Sequence, residues 1–199
     1  MALAEYLAAY GIPNNLPKIA GKYRGGVVVC GDAACVWDDL ERFGCRGDNA
    51  VEKRGWDFLT VNRMVEVFPG RISHAYSNVA SVLMRHVACR RDEYTDEFGP
   101  PLATHSRTQG TGNVWPWHGG GTSGLGAILT AVALGYDKIV LAGMPLDNGG
   151  HNGEPPWRKT RFTVEVTDDD PEWLKAIDMA FDGKVRSLSG RTAKWLGSP

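Results

Sequence analysis

The sequence predicts an α/β fold in which a mainly parallel sheet carries helices on both faces. Three observations predict it. Val27-Val28-Val29-Cys30 is an unbroken apolar run rich in β-branched residues, the pattern of a strand buried on both faces of a parallel sheet. Lys138-Ile139-Val140-Leu141-Ala142-Gly143 is a second such run. Just before it, Thr122 to Leu134 places Leu125, Ile128, Leu129 and Val132 at helical spacing and stops at Gly135, so helix, tight turn and strand follow in the order of an α/β unit. The chain has 199 residues, 43% of them apolar, enough for one domain over residues 1–199 with a real core.

The other elements follow in order. Met1 to Tyr10 reads as a short amphipathic helix rather than a signal peptide, because Glu5 interrupts the apolar run and no basic leader is present. Gly31 and Asp32 turn the chain after the first strand into a helix over Ala33 to Arg42, with Val36, Trp37 and Leu40 on one face and Asp32 as its N-cap. Trp56 to Val61 is a second strand, with Asn62 just past its end, and Ile72 to Tyr76 a third. Ser77-Asn78 then leads into a helix from Val79 to about Arg90, with Val79, Val82, Leu83 and His86 turned inward. Arg91 to Gln109 is polar, contains Pro100-Pro101 and reads as an irregular excursion. Gly112 to Trp117 holds a short strand, Asp147 to Trp157 a loop, Pro171 to Phe181 a helix, Lys184 to Leu188 a last strand and Thr192 to Leu196 a final helical turn.

Composition narrows the function classes. A formal net charge of −1 supplies no basic field for a nucleic-acid backbone, so nucleic acid is disfavoured as a partner. No apolar stretch reaches the roughly 18 residues of a membrane helix. The four cysteines, Cys30, Cys35, Cys45 and Cys89, form no Cys-x-x-Cys pair and read as free thiols, which places the chain in a reducing, cytoplasmic setting. No repeat or linker divides the chain, and self-association is left open.

The candidate ligand residues gather at strand ends. Gly119 to Gly124 fits Gly-x-Gly-x-x-Gly by spacing, and a helix opening there would offer free N–H groups and a partial positive charge to an anion. The preceding Val114-Trp115-Pro116-Trp117 is a poor strand, no acidic residue follows in the dinucleotide position, and no lysine follows the glycines. The turn is therefore read as a helix start touching a ligand phosphate or sugar, against the plainer reading of a tightly packed loop. Asp32 and Asn62 follow strands, where open α/β sheets bind ligands; a helix cap and a turn residue are their plainer readings. Of the five histidines, His74 and His86 read as core or surface residues, while His118 and His151 are the acid–base candidates. No metal-ligand spacing is present, and Asp168 to Asp170 reads as a solvated helix lead-in.

Thr122-Ser123-Gly124, then Ala131-Val132-Ala133-Leu134-Gly135-Tyr136, then Lys138 to Gly143, resemble one stretch of the bacterial sialyltransferases of glycosyltransferase family 42, a stretch also found in 6-hydroxymethylpterin diphosphokinase-like proteins. Val29-Cys30-Gly31-Asp32 with Ala33 to Leu40 is similar to that family's first strand and Gly-Asn-Gly-Pro-Ser turn, and Thr60-Val61-Asn62-Arg63 to its second strand end. Order and rough spacing agree over about residues 27 to 147. The resemblance implies a Rossmann-like α/β sandwich and a crevice for a cytidine nucleotide sugar at Gly31, Asp32, Asn62, Thr122, Ser123 and Gly124, with no metal or other cofactor. The chain departs from the family at three places. Asp32 and Ala34-Cys35 stand for Asn and Pro-Ser, Met144 to Pro155 has no tyrosine where the family has two, and Ser187 to Gly190 has no histidine where the family places its general base.

The expected function is thus a divergent, glycosyltransferase-like protein that binds a nucleotide or a nucleotide sugar of the CMP type. Transfer to an acceptor hydroxyl would need His151 or His118 as base and Arg158, Lys159 and Arg161 for the leaving phosphate. The alternatives are a Mg²⁺-dependent pyrophosphokinase-like enzyme using Asp32 and Asp147, and a binding or structural protein that lost the chemistry.

Overall fold

A computed structural model describes residues 16–45, 50–94, 97–117, 122–147 and 183–199. Among these, seven strands form one sheet: β1 (Gly26–Cys30), β2 (Trp56–Val61), β3 (His74–Tyr76), β4 (Ala103–Ser106), β5 (Asn113–Val114), β6 (Lys138–Ala142) and β7 (Val185–Ser187). Every pairing is parallel, in the order β5-β4-β3-β2-β1-β6-β7. The described helices are α1 (Val36–Arg42), α2 (Met64–Val67), α3 (Ala80–Tyr94), α4 (Ser123–Leu134) and α5 (Gly190–Leu196).

β1 is central because its sequence allows nothing else. All five of its residues are buried, and side-chain alternation sends Val27 and Val29 to one face and Val28 and Cys30 to the other. The first face meets Leu125, Ile128, Leu129 and Leu134 of α4, with Leu59, Leu141, Trp115 and Trp117. The second meets Val36 and Leu40 of α1, Met64 and Val65 of α2, and Leu83 and Val87 of α3. The fold is therefore a Rossmann-like α/β sandwich with helices on both faces. At the end of α4, Gly135 has φ 103°, and its N–H caps the carbonyls of Ala131 and Val132. A side chain at that φ would be strained, so the predicted glycine stop has a backbone reason.

Three expectations are corrected. The helix after β1 starts at Val36, not Ala33, and Cys35 rather than Asp32 holds the N-cap position, without a side-chain cap bond. Ala33 is occupied elsewhere, its N–H bonding the carbonyl of Gly143 at 3.1 Å. The stretch from Arg91 to Gln109 is not one irregular excursion: α3 continues to Tyr94, and Ala103–Ser106 pairs with β3 as a strand. The strand escaped the apolar pattern because its buried residues, His105 and Ser106, are polar. The single turn α2 is shorter than any periodicity window. It is held by Arg90, fully buried, which donates to the carbonyls of Val65, Phe68, Gly70 and Gly99.

Candidate functional site

The strand order reverses at β1, with β2 to β5 on one side and β6 and β7 on the other, and crevices for ligands form at the carboxyl ends of such a switch. Here the two turns at the switch are interlocked. Gly31 N–H bonds Ala142 O at 2.8 Å, and the Ala33–Gly143 bond lies just beyond. A Cβ on Gly31 would collide with the Gly143 carbonyl and the Met144 side chain, so the close approach explains the glycine.

Met144 connects this turn to the start of α4. Its side chain reaches from Gly31, where its Cγ lies, to Gly124, where its Cε lies. The predicted Gly31 and Gly124 turns therefore do converge, on one buried thioether. Thr122 is the N-cap of α4, its Oγ1 accepting from Leu125 N–H at 3.2 Å. Ser123 Oγ lies 3.4 Å from the backbone N–H of Asn78, which ties the helix start to the end of β3. The hydroxyl of Thr122 thus already does structural work, whereas Thr122, Ser123 and Gly124 are each partly exposed at the helix end.

Asp32 and Asn62 stand on the β1 and β2 ends. The Asp32 side chain, only 8% exposed, lies 3.5 Å from the guanidinium of Arg63, which is 42% exposed. Asn62 has φ 52°, a left-handed conformation that asparagine tolerates better than most residues. Its backbone closes the turn, N–H to Tyr76 O at 3.0 Å and its carbonyl accepting from Val65 N–H at 3.1 Å. Its side-chain amide makes no hydrogen bond among the described residues and is half-buried at the strand end. Turn geometry alone therefore accounts for the residue type, while leaving the amide available.

Sequence reasoning missed a group beside these residues. Asp39, 1% exposed on α1, accepts at Oδ2 from Gly143 N–H (2.8 Å) and from the Ser189 hydroxyl (2.7 Å). The Cys35 thiol sits 3.7 Å from the same oxygen and 3.4 Å from Ser189 Oγ. One carboxylate thus joins α1, the end of β6 and the turn after β7. Asp39 Oδ1 is buried, accepts no hydrogen bond among the described residues, and lies 4.0 Å from Arg42. The signal was available: Asp39 follows Val36 by three residues and precedes Leu40, which puts a carboxylate on the inward face of α1. Burial pushes the Cys35 thiol up to about 11, so it is not a nucleophile near neutral pH.

A small cleft of about 190 Å³ opens here, lined by Ala33, Ala34, Cys35, Pro145, Asp147 and Ser189. The described residues thus place two features around the Gly31-Asp32 turn. On one side stand Asn62, Ser123 and Gly124, and on the other the cleft with Asp147 and Ser189. His118, His151, Gly119 to Gly121, Arg158, Lys159, Arg161, the helix at 171–181, Asp168 to Asp170 and Met1 to Tyr10 lie outside the described residues. No helix among the described residues is long and apolar enough to cross a membrane.

No protein-family model and no curated protein sequence matches the chain. Among solved structures, the chain is similar to the sialyltransferase CstII from Campylobacter jejuni, determined in complex with the substrate analogue cytidine-5'-monophosphate. The TM-score is 0.58 at 13% sequence identity, over 87% of this chain and 84% of that one. At that identity the likeness is one of fold, and the fold the two share is the α/β sandwich described above.

Proposed function

We propose that this chain, as one domain over residues 1–199, is a divergent glycosyltransferase-like protein that binds a nucleotide or CMP-type nucleotide sugar at the ends of β1 and β2 and the start of α4. The observation that carries the reading is the convergence of Gly31 and Gly124 on Met144, which brings the N-terminus of a twelve-residue helix to the switch point of the sheet. Free N–H groups at such a helix end favour a phosphate. Gly31 and Gly124, packed on Met144, would meet the ligand with backbone on the side away from that side chain. Thr122 and Ser123 would receive the phosphate, and Asn62 would use its amide on a sugar or base. Asp32 would accept a hydrogen bond from a ribose hydroxyl or an exocyclic amine. The fold likeness to a protein solved with cytidine-5'-monophosphate supports the choice of nucleotide.

Transfer of the sugar would need a base to activate the acceptor hydroxyl, and His151 or His118 would serve. A Mg²⁺-dependent pyrophosphokinase reading is supported less well, because Asp32 already lies beside Arg63. A thermal-melt panel tests the reading. At one hundred times its dissociation constant a ligand adds roughly 2.7 kcal/mol of stability. For a domain of this size that raises the melting temperature by about 5–10 °C. We expect the rise with CMP or a CMP-sugar, with or without Mg²⁺. A rise only with a purine triphosphate and Mg²⁺ would transfer the case to the pyrophosphokinase reading. No rise with any nucleotide would leave a protein that kept the fold without the ligand.

A further inference from the structure

A chain of hydrogen bonds crosses the α4 face of the sheet beneath the candidate site and takes no part in it. Trp115 Nε1 lies 3.0 Å from His105 Nδ1. His105 Nε2 lies 3.0 Å from His74 Nδ1, and His74 Nε2 2.9 Å from Tyr136 Oη. Tyr136 in turn donates to Asp57 Oδ2 at 2.6 Å, while Ser73 donates to Asp57 Oδ1 at 2.6 Å. Both histidines are fully buried.

The two ends fix the direction of every bond. An indole N–H can only donate, so His105 Nδ1 must accept and His105 carries its proton on Nε2. That proton goes to His74 Nδ1, so His74 also carries its proton on Nε2 and donates it to Tyr136. The phenol then donates to a carboxylate, which only accepts. The chain is saturated: each neutral imidazole gives one bond and takes one, and neither has an open lone pair.

An added proton therefore has no place in the closed chain. Placed on His74 Nδ1, it faces the Nε2–H of His105. The conflict relaxes when His105 moves its proton from Nε2 to Nδ1, which makes Nε2 the acceptor of a charge-assisted bond from His74. Two donors, His105 Nδ1–H and Trp115 Nε1–H, then face each other. Placed directly on His105 Nδ1, the proton gives the same opposed donors. We propose that the His74–His105 pair is an acid-operated latch, which on taking up one proton releases the Trp115 indole.

The surroundings of the pair agree with this. The groups facing it are Asp57 from β2, Tyr136 from the turn after α4, Tyr23 from the segment before β1, and Tyr76 from β3. Of these only Asp57 carries charge near neutral pH, and it favours a proton on His74. Arg107, after β4, acts on Tyr76. Burial pulls His74 down to about 4, and burial with the neighbouring His74 pulls His105 down to about 3, so the latch is closed at neutral pH. Trp115 stacks on Trp117 at 5.5 Å, and Trp117 donates from Nε1 to Thr130 Oγ1 of α4 at 3.0 Å, so the released indole lies against a ring anchored on α4. The inference does not depend on any nucleotide binding.

NMR of the imidazole and indole nitrogens on the whole chain tests it. At pH 7 both histidines should carry their proton on Nε2. On acidification from pH 7 to about 3 the pair should take up a proton with a midpoint near pH 4, and the Trp115 indole N–H should lose its protection from exchange at the same midpoint, while the amides of β1 and β6 stay protected. The double variant His74→Gln, His105→Gln keeps one acceptor and one donor at each position and cannot titrate, so its indole should stay protected across that range. A proton on Nδ1 of either histidine at pH 7, or an indole protected throughout the titration, would overturn the proposal. So would loss of β1 protection at the same midpoint. The tautomer reading needs only the wild-type chain, so the test stands even if the double variant does not fold.

Discussion

Two buried polar groups in this protein are built in opposite ways. The His74–His105 chain is closed, with each donor matched to one acceptor from Trp115 to Asp57. The Asp39 group at the carboxyl edge is open: one carboxylate oxygen takes Gly143 and Ser189, the other accepts no hydrogen bond among the described residues, and a hydroxyl and a thiol line a cleft. A closed network fixes shape, because any change strands a buried partner. An open one at a strand-order switch has capacity left over for something that arrives. Both groups hold structure, but the closed chain spans the sheet, whereas the open one joins the turns that border the candidate site.

The largest expected effect comes from breaking the joint in the open group. Asp39→Ala removes the acceptor of a buried backbone N–H and of the Ser189 hydroxyl. Hydrogen bonds to charged groups contribute about 1.5–3 kcal/mol each, so urea unfolding should show a loss of about 4 kcal/mol. A loss below about 1 kcal/mol would show that Asp39 joins nothing. In the closed network, Tyr136→Phe strands a donor on His74 and leaves Asp57 Oδ2 without its proton donor, and should cost about 3 kcal/mol.

The histidines add a pH dependence. Their folded values, about 4 and about 3, lie below the ordinary value of 6.5, so the unfolded chain binds more protons in between. Their contribution is present in full above pH 6.5 and is lost as pH falls toward 4 and then 3. For His74 alone the loss is on the order of 3 kcal/mol. Urea titrations at several pH values should trace this decline, and a flat profile would show that the pair is not buried neutral.

At the candidate site the expected stability effects are smaller. Asn62 has a positive φ, so Asn62→Ala would mix side-chain loss with roughly 1 kcal/mol of backbone strain. Asn62→Gly removes the amide without that strain. It should leave stability within about 0.5 kcal/mol while weakening nucleotide binding. Unchanged binding would make Asn62 a turn residue only. The smallest effect concerns the thiols. At pH 8, iodoacetamide should modify exposed Cys89 well before Cys35, whose thiol is pushed up to about 11.

The same contrast explains what the sequence made legible. β1, β6 and α4 could be read because their apolar periodicity is continuous, and Gly31, Gly124 and Gly135 because close approach or a positive φ leaves few other residues. Strand β4 could not, because His105 and Ser106 are buried through hydrogen bonds rather than by being apolar. His105 finds its partner 31 positions away and His74 its phenol 62 positions away, and no local pattern encodes such pairings. Asp39 was half legible: helical spacing turns it inward, but its partners Gly143 and Ser189 lie 104 and 150 positions downstream. Asp32 reads as a cap in sequence, yet the loop straightens past it to bond β6, and its carboxylate meets Arg63 instead.

The most direct test of the central claim is a crystal structure of the chain soaked with CMP. The account predicts the phosphate against the N–H groups at the start of α4, near Ser123 and Gly124, with the nucleoside lying across Gly31 and Asn62. A nucleotide bound away from the ends of β1 and β2, or a crevice left empty at saturating CMP, would contradict it.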